Sequence, residues 1–319
     1  MTPAADRPMV SVVIPVCNEV DSVPVLHGHL ASVAGTAPQR RWEFIFVDDG
    51  SRDGTWDALK ALRAKDARVR PIKLKRNFGQ TAAMHCGINA AAGEIIVTMD
   101  GDLQNDPADI PRLLAKLEEG YDVVCGWRHQ RQDKLWTRRV PSLVANRLIG
   151  TLTGVRLHDY GCSLKAYRAA AIKRTPLYAE FHRFIPAMST LTGAGIAELK
   201  VNHHARRFGR TKYNLSRTWR VALDMFTVSL LIKFSSRPLH LFGMLALSSA
   251  MVAVIGTQQA WQWYAADVAR MPMVLPGVVV LAIWLAGHLV AVGLMAELCL
   301  ATTHVRPDRL IAAVGEGAS

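Results

Sequence analysis

Apolar residues in the first 130 positions come in short continuous runs rather than in the alternation of a half-solvated sheet. The runs at 10–16, 43–48, 69–74, 94–99 and 122–126 predict strands of the parallel kind, covered on both faces. Between them, 22–33, 55–65, 81–92 and 108–119 repeat apolar positions at helical spacing. The last of these opens on Asp106-Pro107, an N-cap residue followed by proline at the first helical position. Alternating elements of this size predict an α/β fold with an open, mostly parallel sheet. Ligands of such sheets lie beyond the carboxyl ends of the strands.

The pattern changes near residue 215. Trp219, Leu223, Phe226, Leu230 and Phe234 recur at helical spacing with Arg217, Arg220, Asp224 and Lys233 among them. This fits an amphipathic helix over 215–237 lying in a membrane interface; a core helix of the preceding domain gives the same spacing. Two long apolar stretches follow, 239–255 and 273–295. Each is about long enough to cross a bilayer core, the first only just, so a re-entrant hairpin is its alternative. The expected organisation is a catalytic domain over 1–214, the interface helix, a two-helix transmembrane anchor over 238–300 and a tail over 301–319. The flank before the first span and the tail after the second are more basic than the link between them. The positive-inside rule therefore predicts a multi-pass protein of the cytoplasmic membrane, with the catalytic domain and both termini facing the cytoplasm.

Composition agrees with that picture. Half of the 319 residues are apolar, and the formal net charge is +12. Such a charge asks for an anionic partner, but no zinc-finger spacing or RNA-recognition signature is present, so nucleic acid is not expected. A membrane surface is favoured, because the basic residues crowd towards the apolar segments. Five cysteines without a CxxC predict a reducing compartment and neither a disulfide framework nor structural zinc. The first eight residues lack an apolar core and predict no signal peptide.

Candidate chemistry gathers at the predicted strand ends. Asp48 and Asp49 close the second strand, and Asp100 and Asp102 the fourth. Clustered carboxylates repel and are poorly solvated unless a cation sits between them, so stability alone accounts badly for four of them. Oxygen ligands of this kind suit Mg²⁺ or Mn²⁺ completed by phosphate oxygens and water. On an extended chain Asp100 and Asp102 would point the same way, and Gln104 continues the parity as a carbonyl ligand. The alternative is turn-forming or N-capping aspartates. A lone DxD is a weak signal; DGDLQ behind an apolar strand, with an Asp pair one βα unit earlier, is much stronger. Pro15, Asn18 and Glu19 follow the first strand, where a loop would embrace a nucleotide or make an ordinary turn.

The runs Val12–Glu19, Val47–Gly54 and Asp100–Gln104 resemble the family 2 glycosyltransferases with a GT-A, Rossmann-like fold. Arg76–Gln80, Glu119–Val124, Asp159–Cys162 and Arg206-x-x-Gly209-x-Thr211-Lys212-Tyr213 are similar to the polyprenyl-phosphate branch of that family. That branch includes dolichol-phosphate mannose synthases, undecaprenyl-phosphate glucosyltransferases and aminoarabinose transferases. The resemblance implies that Pro15, Asn18, Glu19, Asp48 and Asp49 contact the donor nucleotide, Asp48 at the base. It implies that Asp100, Asp102 and Gln104 hold the metal, Mg²⁺ or Mn²⁺, on the diphosphate. Arg128, Arg138 and Ser142 would bind the acceptor phosphate, and Arg206 and Lys212 would clamp the donor diphosphate. For any one of these arginines a solvated or headgroup-contacting side chain is the plain alternative. Asp159 would orient one of them, line the acceptor site or serve as a cap. Asp100, Asp102, Arg128 and Arg138 are the expected catalytic set. The expected partners are a nucleotide sugar (UDP-linked by the nearer resemblance, GDP-mannose in the alternative), a polyprenyl phosphate, the bilayer and a second copy in a homo-oligomer. Departures from the family pattern are Cys17 in place of an aromatic residue, Gly101 in place of alanine, and Arg210-Thr211 in place of Glu-Ser.

Chemistry leads to the same enzyme. A phosphate oxygen is already anionic at neutral pH, so the acceptor needs no strong general base. What it needs is relief of anion–anion repulsion, which arginines supply, and a stabilised leaving group, which a metal supplies. One displacement with inversion at the anomeric carbon is expected. Processive polysaccharide synthases carry Q-x-x-R-W beside their membrane segments, and Gln39-Arg40-Arg41-Trp42 lacks that spacing. No G-x-G-x-x-G follows the first strand and no GxxxxGK[ST] occurs, which argues against dinucleotide and P-loop chemistry. A non-catalytic lipid-binding scaffold on the same fold is the rival from another class.

Overall fold

The computed structural model describes residues 10–129, 150–151, 154–173, 184–190, 193–205, 227, 230, 234, 237–266 and 274–302. The chain forms two compact units, residues 1–229 and 230–319. The first is built on a seven-stranded sheet: β1 Val10–Val16, β2 Trp42–Asp48, β3 Val69–Lys73, β4 Ile95–Thr98, β5 Val123–Arg128, β6 Lys165–Arg168 and β7 Ile196–Val201. Their order is β3-β2-β1-β4-β6-β5-β7. All pairings are parallel except those of β6, which runs antiparallel to both β4 and β5. Strands β1, β2 and β4 are buried along their whole length, which is why their sequences are continuous apolar runs.

Alternate residues of these strands feed two cores. Val12, Ile14, Phe44 and Phe46 pack with Leu26 and Leu30 of α1 (Ser22–Thr36), Leu59 of α2 (Thr55–Lys65) and Leu113 and Leu117 of α4 (Ile110–Glu118). Val13, Ile45 and Val47 pack with Ala83, Met84 and Ile88 of α3 (Gln80–Ala90) on the other face. Short helices α5 (Ala169–Ile172) and α6 (Ile185–Ser189) complete that second layer through Ile172 and Ile185. Helix α4 is preceded by a 3₁₀ turn at Pro107–Asp109, and Asp106 caps it by accepting from the amide of Ala108 at 2.9 Å. The cap expected at Asp106-Pro107 is therefore present.

The first five strands lie within one or two residues of their predicted ends. One shift matters: β5 runs on to Arg128, so this arginine is the last strand residue and not a loop residue beyond it. Strands β6 and β7 are additions that the apolar pattern does not predict. Of the expected interface helix, Thr227, Leu230 and Phe234 are helical and the rest of 215–237, apart from Arg237, lies outside the described residues.

The second unit contains α7 (Pro238–Ala266) and α8 (Val274–Thr302), two helices long and apolar enough to cross a membrane. At 29 residues, α7 is about 43 Å long by its helical rise, well beyond the ~30 Å of a bilayer core and longer than the apolar stretch alone suggests. Small residues bring the pair together: a Cβ on Gly256 would lie 2.8 Å from Val279, and one on Gly293 2.9 Å from both Leu239 and Phe242. Ser249 donates to the carbonyl of Ala282 at 2.9 Å, and Glu297 of α8 accepts the amide of Leu239 in the first turn of α7 at 3.3 Å. That carboxylate satisfies one orphan donor and faces the positive end of the helix dipole.

Candidate active site

The carboxyl ends of β1, β2 and β4 lie side by side, because Val16 pairs with Asp48 and Val13 with Thr98. The loops leaving them are laced together. Asn18 has a left-handed backbone (φ 57°); its amide donates to Ser51 Oγ and its side-chain oxygen accepts from the amide of Arg52 at 2.8 Å. The amide of Glu19 donates to Thr55 Oγ1, and its carboxylate accepts from Ser22 Oγ. Gly50, at φ 67°, lies against the backbone of Arg76 and Asn77, where a Cβ would fall 2.5 Å from the Arg76 carbonyl carbon.

Asp48 and Asp49 are held by this lacing. Asp48 is fully buried; Oδ1 accepts the amide of Ser51 at 2.9 Å, while Oδ2 has no hydrogen-bond partner among the described residues. Both oxygens of Asp49 are engaged, accepting the amides of Phe78 at 2.7 Å and Gly79 at 2.9 Å. Stability accounts for this pair better than their clustering alone suggests. Their carboxylates order the loops at the sheet edge, with one oxygen of Asp48 left over.

Asp100 and Asp102 follow β4 on a bent segment, not on the extended chain that equal side-chain direction would require. Leu103 takes a left-handed conformation (φ 62°), rare for a branched side chain, and the buried Leu103 side chain holds it there. Gly101 lets the turn lie on β1: a Cβ here would be 2.6 Å from Val16 Cγ1 and 3.4 Å from the Pro15 carbonyl. Asp102 is buried and accepts the amide of Gln104 at 3.2 Å; Gln80 Nε2 donates to Asp100 Oδ1 at 2.6 Å. The backbone of Gln104 accepts from the amide of His204, and Asn105 bridges to His203, so residues 203–204 run beside the aspartate loop. Among the described residues no group of three or more His, Cys, Asp or Glu side chains gathers as a metal cage. Two carboxylates on one loop are nevertheless what a cation shared with a diphosphate requires, since phosphate oxygens and water fill the other positions.

Arg128 enters from the next part of the sheet. Its Nε and Nη2 donate to the two oxygens of Asp159 at 2.7 and 2.9 Å, and the amides of Arg128 and Gly161 bind the same carboxylate. Nη1 makes no hydrogen bond among the described residues. Burial alone would lower the pKa of this guanidinium; the hydrogen bonds and charge of Asp159, helped by the charge of Asp100, outweigh it and raise the value. The segment Asp159–Ser163 is in turn tied to the aspartate loop by Asn105, which donates to Ser163 Oγ at 2.7 Å. Acidic loop and arginine thus belong to one connected site at the carboxyl edge.

A family description, "Glycosyl transferase family 2", matches residues 11–179. The chain is 44% identical over 305 residues to the dodecaprenyl-phosphate galacturonate synthase of Rhizobium johnstonii, spanning 93% of this chain and 89% of that protein. It is 38% identical over 257 residues to the undecaprenyl-phosphate 4-deoxy-4-formamido-L-arabinose transferase of Salmonella choleraesuis, spanning 80% and 76%. The chain belongs to glycosyl transferase family 2. Among solved structures it is similar to glucosyl-3-phosphoglycerate synthase from Mycobacterium tuberculosis, crystallised with Mn²⁺ and UDP-glucose. That likeness has a TM-score of 0.57 at 20% identity and covers 73% of this chain and 82% of that one; it bears on the GT-A fold alone.

The family 2 match spans Pro15, Asn18, Glu19, Asp48, Asp49, Asp100, Asp102, Gln104 and Arg128, which the structure brings to one edge of the sheet. Arg138, Ser142, Arg206 and Lys212 lie outside the described residues. Sequence reasoning assigned no role to Asn105, or to Gln80, which entered only as the end of the Arg76–Gln80 resemblance. It also missed Glu198, which accepts the amides of His158 and Asp159 at 3.0 Å each and so braces the arginine's partner. Two buried cysteines near Arg128 are inert by environment: burial pushes the thiols of Cys125 and Cys162 up to about 12, so neither is a thiolate nucleophile at neutral pH.

Proposed function

We propose that this family 2 glycosyltransferase moves a sugar from a nucleotide sugar, UDP-linked, onto undecaprenyl or a similar polyprenyl phosphate, with inversion at the anomeric carbon. The observation that carries the reading is the pairing of an aspartate turn with a buried, permanently charged arginine whose Nη1 donors are uncommitted among the described residues. Both relatives above bear names with a polyprenyl-phosphate acceptor, which supports the acceptor class.

Donor and acceptor divide the edge between them. The loops of Pro15, Asn18, Glu19, Asp48 and Asp49 would take the nucleoside; Asp48 Oδ2, buried without a partner among the described residues, is an acceptor for a base N–H. Asp100 and Asp102, with Gln104, would hold Mg²⁺ or Mn²⁺, which neutralises charge on the departing diphosphate. Arg206 and Lys212, which follow His203 and His204 beside Gln104 and Asn105, would close on that diphosphate. Arg128, with Arg138 and Ser142, would bind the acceptor phosphate by charge-assisted hydrogen bonds and aim one of its oxygens at the sugar. Asp159 fixes the plane of Arg128 and keeps it charged. The acceptor oxygen is the nucleophile, so no side chain has to remove a proton.

The two apolar helices would anchor the enzyme in the cytoplasmic membrane with its catalytic unit on the cytoplasmic side, as the basic flanks suggest. Incubating the detergent-solubilised chain with undecaprenyl phosphate, Mn²⁺ and a panel of sugar nucleotides, then reading the lipid by mass spectrometry, tests the reading. One donor should yield a polyprenyl monophosphoryl sugar, and Asp102→Ala should abolish it while leaving the melting temperature intact. Full transfer by Asp102→Ala would refute the metal assignment.

A further inference from the structure

Asp49 and Asp100 stand on different loops, and a single short segment connects them. Asp49 binds the amides of Phe78 and Gly79, and its own carbonyl accepts from Asn77 Nδ2 at 3.2 Å. Gly50 presses on the backbone of residues 76 and 77 from the same side. Gly79, at φ 96°, turns the chain into α3, and Gln80 is the first residue of that helix. Its amide nitrogen then reaches Asp100 Oδ1 at 2.6 Å. The segment 77–80 is fixed at one end by a buried carboxylate and delivers a donor to another carboxylate at the other end.

We infer that Gln80 is a positioning residue that holds Asp100 in the orientation a divalent cation needs. The inference rests on the metal reading of Asp100 and Asp102 and adds to it a residue outside the aspartate turn. Two carboxylates separated by one residue repel when no cation is between them, and the bond from Gln80 is one restraint that opposes a turn of Asp100 away from its neighbour. A hydrogen bond on Oδ1 narrows the range of carboxylate orientations and leaves Oδ2 for another partner. The donor is also of the right charge. A lysine or arginine here would neutralise Asp100 and compete with the cation, whereas a carboxamide orients the group and leaves both negative charges in place. Supports of this kind change metal affinity by about 10- to 100-fold when removed. Asp49 acts one step further back, by fixing the loop from which Gln80 reaches.

The test is Mn²⁺ binding to the purified full-length chain, followed by the electron paramagnetic resonance signal of free Mn²⁺ with the metal alone. Gln80→Met keeps the length and removes the donor, and should weaken the Mn²⁺ dissociation constant about tenfold or more. Its metal-free melting temperature should match the parent within measurement, and transfer should recover at high Mn²⁺. Gln80→Lys keeps a donor but adds a charge, and should also lose Mn²⁺ affinity. Asp102→Ala is the control for the site itself. If Asp102→Ala abolishes binding while Gln80→Met binds Mn²⁺ like the parent, Gln80 has no positioning role. A Gln80→Met chain that melts lower yet binds Mn²⁺ normally overturns the inference too, because the residue would then serve only the fold. If Asp102→Ala itself binds Mn²⁺ normally, the metal reading fails, and that outcome is distinct from the other two. Should Gln80→Met not fold, Gln80→Asn, which shortens the reach by one methylene, makes the same prediction.

Discussion

Arg128 and Asp159 meet as a two-pronged pair, Nε on Oδ2 and Nη2 on Oδ1, with only 3% of the aspartate side chain exposed. Removing one member of such a pair strands the other charge, at a cost of about 3 kcal/mol or more. Asp159→Leu should therefore lower the melting temperature and raise the acceptor KM together. Arg128→Met in the same chain should restore the part of the stability lost to the stranded charge, though not the part carried by the amides of Arg128 and Gly161, and should not restore transfer. Arg128→Ala alone should raise the acceptor KM more than the donor KM. Thermal melts and steady-state kinetics with each substrate varied would check this, and a larger effect on the donor would move Arg128 to the other substrate.

Gly101 and Val16 set a second expectation. An alanine at 101 would put its Cβ 2.6 Å from Val16 Cγ1, and valine has little freedom to turn aside. Overpacking of this sort costs about 1–3 kcal/mol and would lift the aspartate turn off β1. Gly101→Ala should weaken Mn²⁺ binding and transfer, and Gly101→Ala combined with Val16→Ala should recover both. Failure of the second change to rescue the first would show that the contact is not what positions the turn.

Acid stability has a source outside the site. Asp66 is held well below the usual carboxylate range, chiefly by hydrogen bonds from Arg68, with His27 contributing a further bond. Its folded pKa is depressed, so its contribution is fully present above the unfolded value of about 4 and is lost as pH falls through the folded one. Asp66→Asn should flatten the loss of stability below pH ~4 and cost about 1 kcal/mol at neutral pH, since Arg68 is partly solvated. Urea titrations at several pH values would read both effects.

The parallel half of the sheet was legible because β1, β2 and β4 are buried on both faces and must be apolar throughout. β6 was not, since its four residues begin with a buried lysine and end with an exposed arginine. β7 is only partly buried, and Ile-Ala-Glu-Leu-Lys-Val reads equally as an exposed helical turn. Asp100 and Asp102 announced themselves by spacing behind a strand. The conformation of their loop did not, because a leucine at φ 62° depends on tertiary packing that no local rule carries. Asp48 and Asp49 show the opposite limit: their type and place were visible, yet only the amides of Ser51, Phe78 and Gly79 reveal how much of each is spent on the fold. Gln80 and Asn105 escaped because an uncharged amide carries no signal until its partner is known.

The reversed direction of β6 has one more effect. A strand that runs against its neighbours begins where they end, so the chain leaves the sheet at Arg128 and returns to it at Lys165 along the same edge. The chain between those two residues starts and finishes beside the candidate site. Within it Asp159 and Ser163 are tied to Arg128 and Asn105, while the loops that follow β1, β2 and β4 carry Asn18, Asp49 and Asp100. On the proposed reading, the fold separates two evolutionary problems: which nucleotide to hold and which phosphate to receive.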